Sequence, residues 1–138
     1  MVVSEFISLQ TKGFSDIIDI TLQVAAIVEG SKIKDGAVAV FCQGSTGAVT
    51  TIEYESGVLE DLKKAIERMA PSDINYAHDR RWGDGNGFSH VRAALIGPSL
   101  TVPITRGTLA LGTWQQIVFI DFDNRKRQRN ILVQVIGE

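Results

Sequence analysis

Several features are scarce in this sequence, and each scarcity excludes a class of protein. The 138 residues include one cysteine, Cys42, which excludes an internal disulfide and any zinc site built from several cysteines. No apolar run approaches the roughly 20 residues needed to cross a bilayer. The N-terminal residues also lack the basic and apolar regions of a signal peptide. We therefore expect a soluble, cytoplasmic protein with no membrane partner.

The sequence also has no large excess of positive or negative side chains. The chain carries 14 Lys and Arg and 16 Asp and Glu, a net charge of -2, so no strong global field attracts nucleic acid. The basic cluster Arg125–Arg129 could contact RNA phosphates. No aromatic platform accompanies it, and a solvated turn or a set of salt bridges is the favoured interpretation. Nucleic acid is therefore not expected as a partner.

Hydrophobic periodicity predicts a single α+β domain over residues 1–138, with two main helices. One helix is expected from the N-cap Thr21 to about Glu29, with Gly30 as its stop. The other spans 58–69, where apolar residues recur at helical spacing opposite a charged face. Residues 14–20 fit either a strand or the start of a helix. The predicted strands are 3–11, 36–42, 49–54, 91–96, 100–104, 113–121 and 131–136.

The only two histidines, His78 and His90, lie twelve positions apart in one polar segment that shows no obvious helix or strand pattern. Imidazole nitrogens and a carboxylate such as Asp84 can bind a divalent metal, and a histidine can act as general acid or base near neutral pH. The spacing matches no standard zinc motif. From spacing alone, a solvated loop is slightly favoured.

A loop of small residues, Gln43–Gly47, is a second candidate site. Its glycines can expose backbone N–H groups, and Ser45 and Thr46 add hydroxyls, which together suit a phosphate or carboxylate. It lacks the Lys-Ser/Thr ending of a P-loop, and an ordinary turn is the alternative.

Other polar and aromatic residues allow two interpretations each. Glu53 either faces solvent or points inward as a metal ligand or base. Trp114 and Gln115 fit a pocket or a subunit interface, and Trp114 also fits the core. Cys42, at the end of an apolar strand, is more typical of a core residue than of a nucleophile.

Several segments together resemble the YjbQ family, also described as secondary thiamine-phosphate synthase. They are Cys42-Gln-Gly-Ser-Thr-Gly-Ala-Val-Thr-Thr-Ile-Glu53, His78 to His90, Gly97-Pro-Ser-Leu-Thr-Val-Pro103, Leu109-Ala-Leu-Gly-Thr-Trp-Gln-Gln116 and Val133-Gln-Val. The resemblance implies a mixed sheet curled towards a barrel and a homotrimer. It also implies an activity that joins a pyrimidine diphosphate to a thiazole phosphate and releases pyrophosphate.

The resemblance also implies roles for individual residues. His78, His90 and Glu53 match catalytic positions, and His78, His90 and Asp84 match ligands for a divalent metal such as Zn or Mg. The residues implied to bind a small phosphorylated substrate are Ser45, Thr46, Asn86, Trp114 and Gln115. One departure is notable: many bacterial members have His-Thr-Thr where this chain has Gly44-Ser45-Thr46.

Two functions therefore stand as hypotheses. The first is a thiamine-phosphate synthase-like transferase, in which a metal offsets charge on the leaving pyrophosphate. The alternative is a module that binds a metal or a phosphorylated metabolite without turnover. A role in RNA association through Arg125–Arg129 ranks third.

Overall fold

The computed structural model describes all residues 1–138, which form eight strands and four helices. The strands are β1 (Val2–Thr11), β2 (Asp16–Asp19), β3 (Gly36–Cys42), β4 (Gly47–Ile52), β5 (Ser99–Thr105), β6 (Thr108–Leu109), β7 (Gln116–Asp121) and β8 (Arg127–Gly137). The helices are α1 (Thr21–Ser31), α2 (Ser56–Met69), α3 (Ala77–Trp82) and α4 (Gly87–Ile96). The α+β class and the strongly curled sheet are confirmed.

The strands form a five-stranded sheet in the order β1-β8-β3-β5-β6 and a three-stranded sheet in the order β2-β7-β4. Every pairing is antiparallel, so the mixed pairing implied by the resemblance is absent. The reason lies in the helical connections. The segments containing α1 and α2–α4 lead from the smaller sheet to the larger one, so no helix returns the chain to a parallel neighbour.

Alternation along the strands determines which side chains enter the core. Val38, Val40, Val133 and Val135 point inward from β3 and β8 and are fully buried. They pack with residues of α1, β4 and β7 in the main core cluster. The continuous apolar run of β3 predicts a central strand, and β3 indeed lies between β8 and β5.

The ends of α1 differ slightly from the prediction. Ile20, rather than Thr21, occupies the N-cap position, because the Asp19 carboxylate accepts the N–H of Thr21 at 2.9 Å. At the other end the helix passes Gly30 and finishes at Ser31, where Lys32 takes the left-handed conformation at φ 64°.

The segment 77–96 is the main correction to the predicted secondary structure. Residues 91–96 belong to α4 and not to a strand, and the polar stretch before them forms α3 and the start of α4. The buried residues of α4 are Gly87, Phe88, Ser89, Arg92 and Ala93. This is helical spacing, but a buried arginine and serine conceal it in a hydrophobicity pattern. The fold therefore has four helices instead of two.

No helix of this fold has the length and apolar composition needed to cross a bilayer.

Candidate functional site

The two helices of segment 77–96 bring both histidines together. The rings of His78, on α3, and His90, on α4, lie with centroids 4.4 Å apart and planes tilted by 40°. Gly83 and Gly85 make the turn between the helices with φ values of 67° and 62°, a conformation that glycine adopts without a steric penalty. The two histidines, twelve residues apart in the sequence, therefore lie side by side in the structure.

The Asp79 carboxylate fixes this helical turn. Its Oδ1 accepts the N–H of Gly87 at 2.8 Å, and its Oδ2 accepts the N–H of Tyr76 at 3.3 Å. The first bond ties α3 to the start of α4, and the second ties the start of α3 to its own first turn. Asp79 therefore determines where His78 sits relative to His90.

His78, Asp79 and Asp84 form a group of three potential metal ligands around the Nδ1 atom of His78. Asp84 Oδ1 lies 3.3 Å and Asp79 Oδ1 lies 3.9 Å from that nitrogen, and ligand atoms of the three residues all lie within 4.8 Å of one another. Asp79 was missing from the residues singled out by sequence, although it directly follows His78. His90, which the resemblance implies as a ligand, is not in this group of three.

The His78 Nδ1 atom is buried and has no hydrogen-bond partner. Buried polar atoms are rarely left unpaired in folded proteins. A cation between the imidazole and the carboxylates would satisfy it. A nitrogen ligand with carboxylate oxygens suits zinc or another transition metal, whereas magnesium prefers oxygen ligands alone. The residues present therefore fit a zinc-like ion.

A cavity of about 290 Å³ adjoins His90, one member of the histidine pair. It is lined by Gly44, Ser45, Gly47, His90, Ala93, Ala94 and Pro98. The loop after β3 and the polar segment thus contribute to one concave surface. Gly47 is required there, because a Cβ atom would lie 2.7 Å from the Phe119 ring.

Ser45 is available to a ligand in this cavity, and Thr46 is not. Ser45 is exposed, and its N–H and that of Gly44 donate to no backbone carbonyl. The hydroxyl of the buried Thr46 instead donates to Asp123 Oδ2 at 3.0 Å and accepts from Arg129 Nη2 at 2.6 Å. Thr46 therefore anchors the loop and does not offer its side chain to a ligand.

Beneath the loop lies a buried ion pair between Asp121 and Arg129. The Arg129 guanidinium donates to both Asp121 oxygens, at 2.7 Å and 2.9 Å, and the Thr11 hydroxyl donates at 2.6 Å. Burial raises the pKa of Asp121, but the hydrogen bonds from Arg129, Thr11 and the Asp123 N–H outweigh it and hold the pKa below its usual value. The carboxylate is therefore ionised and holds Arg129 beneath the loop.

Cys42 lies beside this ion pair and is buried in the core. Burial raises the pKa of its thiol, an effect that the nearby Arg129 only partly offsets. The thiol is therefore protonated at neutral pH and packs as a small apolar residue.

Asn86 lies at the start of α4, where hydrogen bonds hold its side chain in place. Its Oδ1 accepts from the Ser89 hydroxyl at 2.7 Å and from the Asn124 N–H at 3.1 Å. It also lines a polar cavity of about 300 Å³ with Asp84, Asp123, Asn124, Arg125 and Arg127. The basic cluster is partly neutralised here, because Arg127 pairs with Asp123 at 3.1 Å and Arg129 with Asp121.

Glu53, Trp114 and Gln115 lie away from the histidines within one chain. Glu53 follows β4, whereas the cavity lies at the start of that strand, about 20 Å away at 3.3 Å per residue. Gln115 donates to Thr51 Oγ1 at 3.2 Å, and the Trp114 side chain is 72% exposed. The fold therefore separates these three residues from His78, His90 and Ser45.

Comparison with known proteins points to one family. The model of the family described as UPF0047 protein YjbQ-like matches residues 5–138. A UPF0047 protein of Methanothermobacter thermautotrophicus is 39% identical, over 99% of this chain and 94% of its own length. One of Archaeoglobus fulgidus is 41% identical, over 94% of this chain and 98% of its own length.

Solved structures show the same fold. A YbjQ-like protein of unknown function from Sulfolobus solfataricus P2 superposes with a TM-score of 0.90 at 31% identity, and all of both chains is covered. An uncharacterized conserved protein from Clostridium acetobutylicum gives a TM-score of 0.87 at 34% identity. That match covers 96% of this chain and 99% of the other.

Proposed function

Because the chain belongs to the UPF0047 family of YjbQ-like proteins, we propose that it binds a divalent metal at His78, Asp79 and Asp84 and a phosphorylated small molecule in the adjoining cavity. The observation that carries this proposal is the buried, unpaired Nδ1 of His78 beside two carboxylates. A metal bound there would neutralise negative charge on a phosphate or diphosphate group.

The chain's own residues would position the anion. Gly44 and Ser45 line the cavity, and their N–H groups together with the Ser45 hydroxyl would form a cluster of donors that suits a phosphate. His90 also lines this cavity, and its ring lies 4.4 Å from the His78 ring, centroid to centroid. It is therefore placed to donate or accept a proton at the ligand rather than to bind the metal.

The transferase reaction is a finer proposal on the same site. A synthase would break the bond between the pyrimidine carbon and its diphosphate, join that carbon to the thiazole nitrogen and release pyrophosphate. The diphosphate would leave beside the metal, and the donors at Gly44 and Ser45 would hold it. The alternative is binding without turnover, which the replacement of the family histidine by Gly44 favours.

A homotrimer is also proposed, since the outer face of the five-stranded sheet suits contact with further copies. Its seventeen outward positions on β1, β3, β5 and β8 carry no charged residue. Phe6, Phe41 and Ile136 on this face are 58%, 40% and 48% exposed. Glu53, Trp114 and Gln115 reach a histidine site only if another copy supplies them, so the binding proposal does not depend on them.

Metal content tests the proposal. Protein dialysed against zinc and then buffer should retain about one ion per chain by mass spectrometry. His78→Ala and Asp84→Asn should lose it, because each removes a ligand. His90→Ala should keep the metal but bind pyrophosphate at least tenfold more weakly by calorimetry. Asp73→Asn, an exposed carboxylate before α3, is the matched control and should behave as wild type.

Equal metal content in wild type and in both ligand variants would contradict the metal site. Turnover then separates the two finer alternatives. Release of pyrophosphate from the pyrimidine diphosphate in the presence of the thiazole phosphate would identify a synthase. Tight binding of pyrophosphate with no release would identify a binding module.

A further inference from the structure

The largest cavity lies on another part of the fold, between α1 and the β5–β6 hairpin. It has a volume of about 600 Å³, within the range of about 300–1,000 Å³ that is typical of small-molecule sites. Its walls include the apolar residues Ala25, Val28, Leu109 and Leu111. None of its lining residues belongs to the histidine site or its cavity.

Two cations stand at this groove without an acidic partner. Lys34 and Arg106 both line it, and neither takes part in an ion pair within 4.0 Å. Glu29 is also on the wall and likewise makes no ion pair. The groove therefore combines apolar walls with two positive charges and one negative charge, none of which is held in an ion pair within 4.0 Å.

The backbone brings the hairpin turn that carries Arg106 against the segment that carries Lys34. The Gly107 N–H donates to the carbonyl of Lys34 at 2.9 Å. The Lys34 side chain lies across the hairpin turn, so that its Nζ is 3.2 Å from where a Cβ of Gly107 would stand. Lys34 and Arg106 line the same groove, so an anion bound there could pair with both charges.

The turn between β5 and β6 contains Arg106, a residue that is unfavourable in the backbone conformation found there. Arg106 and Gly107 are the two residues between the paired Thr105 and Thr108, and their φ values are 53° and 79°. A two-residue hairpin turn with both φ values positive strongly prefers Asn-Gly or Asp-Gly. A long side chain in this conformation is strained, and such strain is concentrated at ligand sites.

We propose that this groove binds a small organic carboxylate with an apolar body. The carboxylate would lie between Lys34 and Arg106, and the apolar body would cover Ala25, Val28, Leu109 and Leu111. Arginine suits this role because its planar guanidinium can donate two parallel hydrogen bonds to a carboxylate. The strained position of Arg106 in the turn is thereby explained by its reach over the groove.

Calorimetric titration with 2-naphthoate and octanoate tests the proposal. Wild type should bind at least one of them, and the uncharged amide of that acid should bind at least tenfold more weakly. Lys34→Gln and Arg106→Asn should each weaken carboxylate binding at least tenfold. The fold should persist in Arg106→Asn, because Asn-Gly is favoured in this turn, and circular dichroism checks it.

Two control variants complete the experiment. Lys126→Gln removes an exposed cation from another turn and should leave binding unchanged. His78→Ala should also leave it unchanged, which separates this groove from the histidine site. If neither acid binds, or if Lys34→Gln and Arg106→Asn bind as wild type does, the groove is not a carboxylate site.

Discussion

At the scale of single residues, the strongest interaction near the histidine site is the buried ion pair between Asp121 and Arg129. Asp121 has no exposed surface, and Arg129, its partner, has a side chain that is 13% exposed. Breaking one partner of a buried ion pair leaves the other charge uncompensated, which costs about 3–5 kcal/mol. The same pair supports the loop that carries Ser45, because Arg129 also donates to Thr46.

We therefore expect Asp121→Asn to lower the free energy of unfolding by about 3 kcal/mol, as measured by urea denaturation at pH 7. Asp61→Asn, an exposed carboxylate on α2, is the matched control and should have little effect. A loss of stability in Asp121→Asn no larger than in Asp61→Asn would show that the ion pair contributes no net stability.

The pH dependence follows from the same group. The pKa of Asp121 is lower in the folded than in the unfolded protein, so its contribution is fully present above the unfolded value of about 3.9. Stability should then fall as the pH drops below about 4 and through the lower folded pKa. Asp121→Asn should show a shallower fall between pH 4 and pH 2, by urea denaturation at each pH.

At the scale of secondary-structure elements, the pairing of β3 with β8 depends on glycine. A Cβ on Gly36 would collide with the backbone carbonyl oxygen of Ile136 and lie 2.8 Å from the Cα of Gly137. Both atoms belong to the backbone of β8, so no side-chain rotation can relieve the contact. By contrast, Gly30 in α1 has no atom within 4 Å of its Cβ position.

We expect opposite effects from the same substitution at these two glycines. Gly36→Ala should lower the free energy of unfolding by about 1–3 kcal/mol, because the two strands must move apart. Gly30→Ala should raise it by about 0.5–1 kcal/mol, because alanine favours the helix. Chemical denaturation measures both. Equal effects at the two positions would mean that β8 does not pack against β3 as described.

The elements also show which helices and strands can be predicted from the hydrophobic pattern of the sequence. The helix predicted over 58–69 and the strands predicted over 36–42, 100–104 and 131–136 correspond to α2, β3, β5 and β8, because their apolar residues form a regular repeat or a continuous run. The helices α3 and α4 were not predicted. The pattern of α4 is concealed by Arg92, a charged residue that is buried because Ala70, Ser15 and Glu67 all accept its hydrogen bonds.

At the scale of the whole molecule, the outward face of the five-stranded sheet predicts assembly. Phe6, Leu132 and Phe41 lie in one row across β1, β8 and β3. An exposed apolar patch bordered only by uncharged polar residues is typical of protein–protein contacts.

Phe6→Lys should therefore convert the proposed trimer, three times the 15.1 kDa chain, into a monomer. A lysine in the centre of a closed apolar contact would bury an unpaired charge. Light scattering during size-exclusion chromatography measures the mass. Leu22→Lys, an apolar position at the start of α1 that is 83% exposed, is the control and should keep the wild-type mass. A wild-type mass in Phe6→Lys would show that this face is not the contact.

The sequence by itself determined the class of the fold and the types of residue at the site. Alternation and helical spacing are local properties, so they can be read without the structure. The composition of the segment His78 to His90 likewise indicated imidazole and carboxylate groups as candidates for a metal or acid–base site.

Only the tertiary structure decided which of these groups meet. His78 and His90 stand side by side because two glycine turns fold α3 against α4, and Ser45 joins them because β4 packs against α4. Glu53 lies apart because an extended strand separates it from the same loop. Such distances depend on pairings between residues far apart in the chain, which the local spacing of residue types does not record.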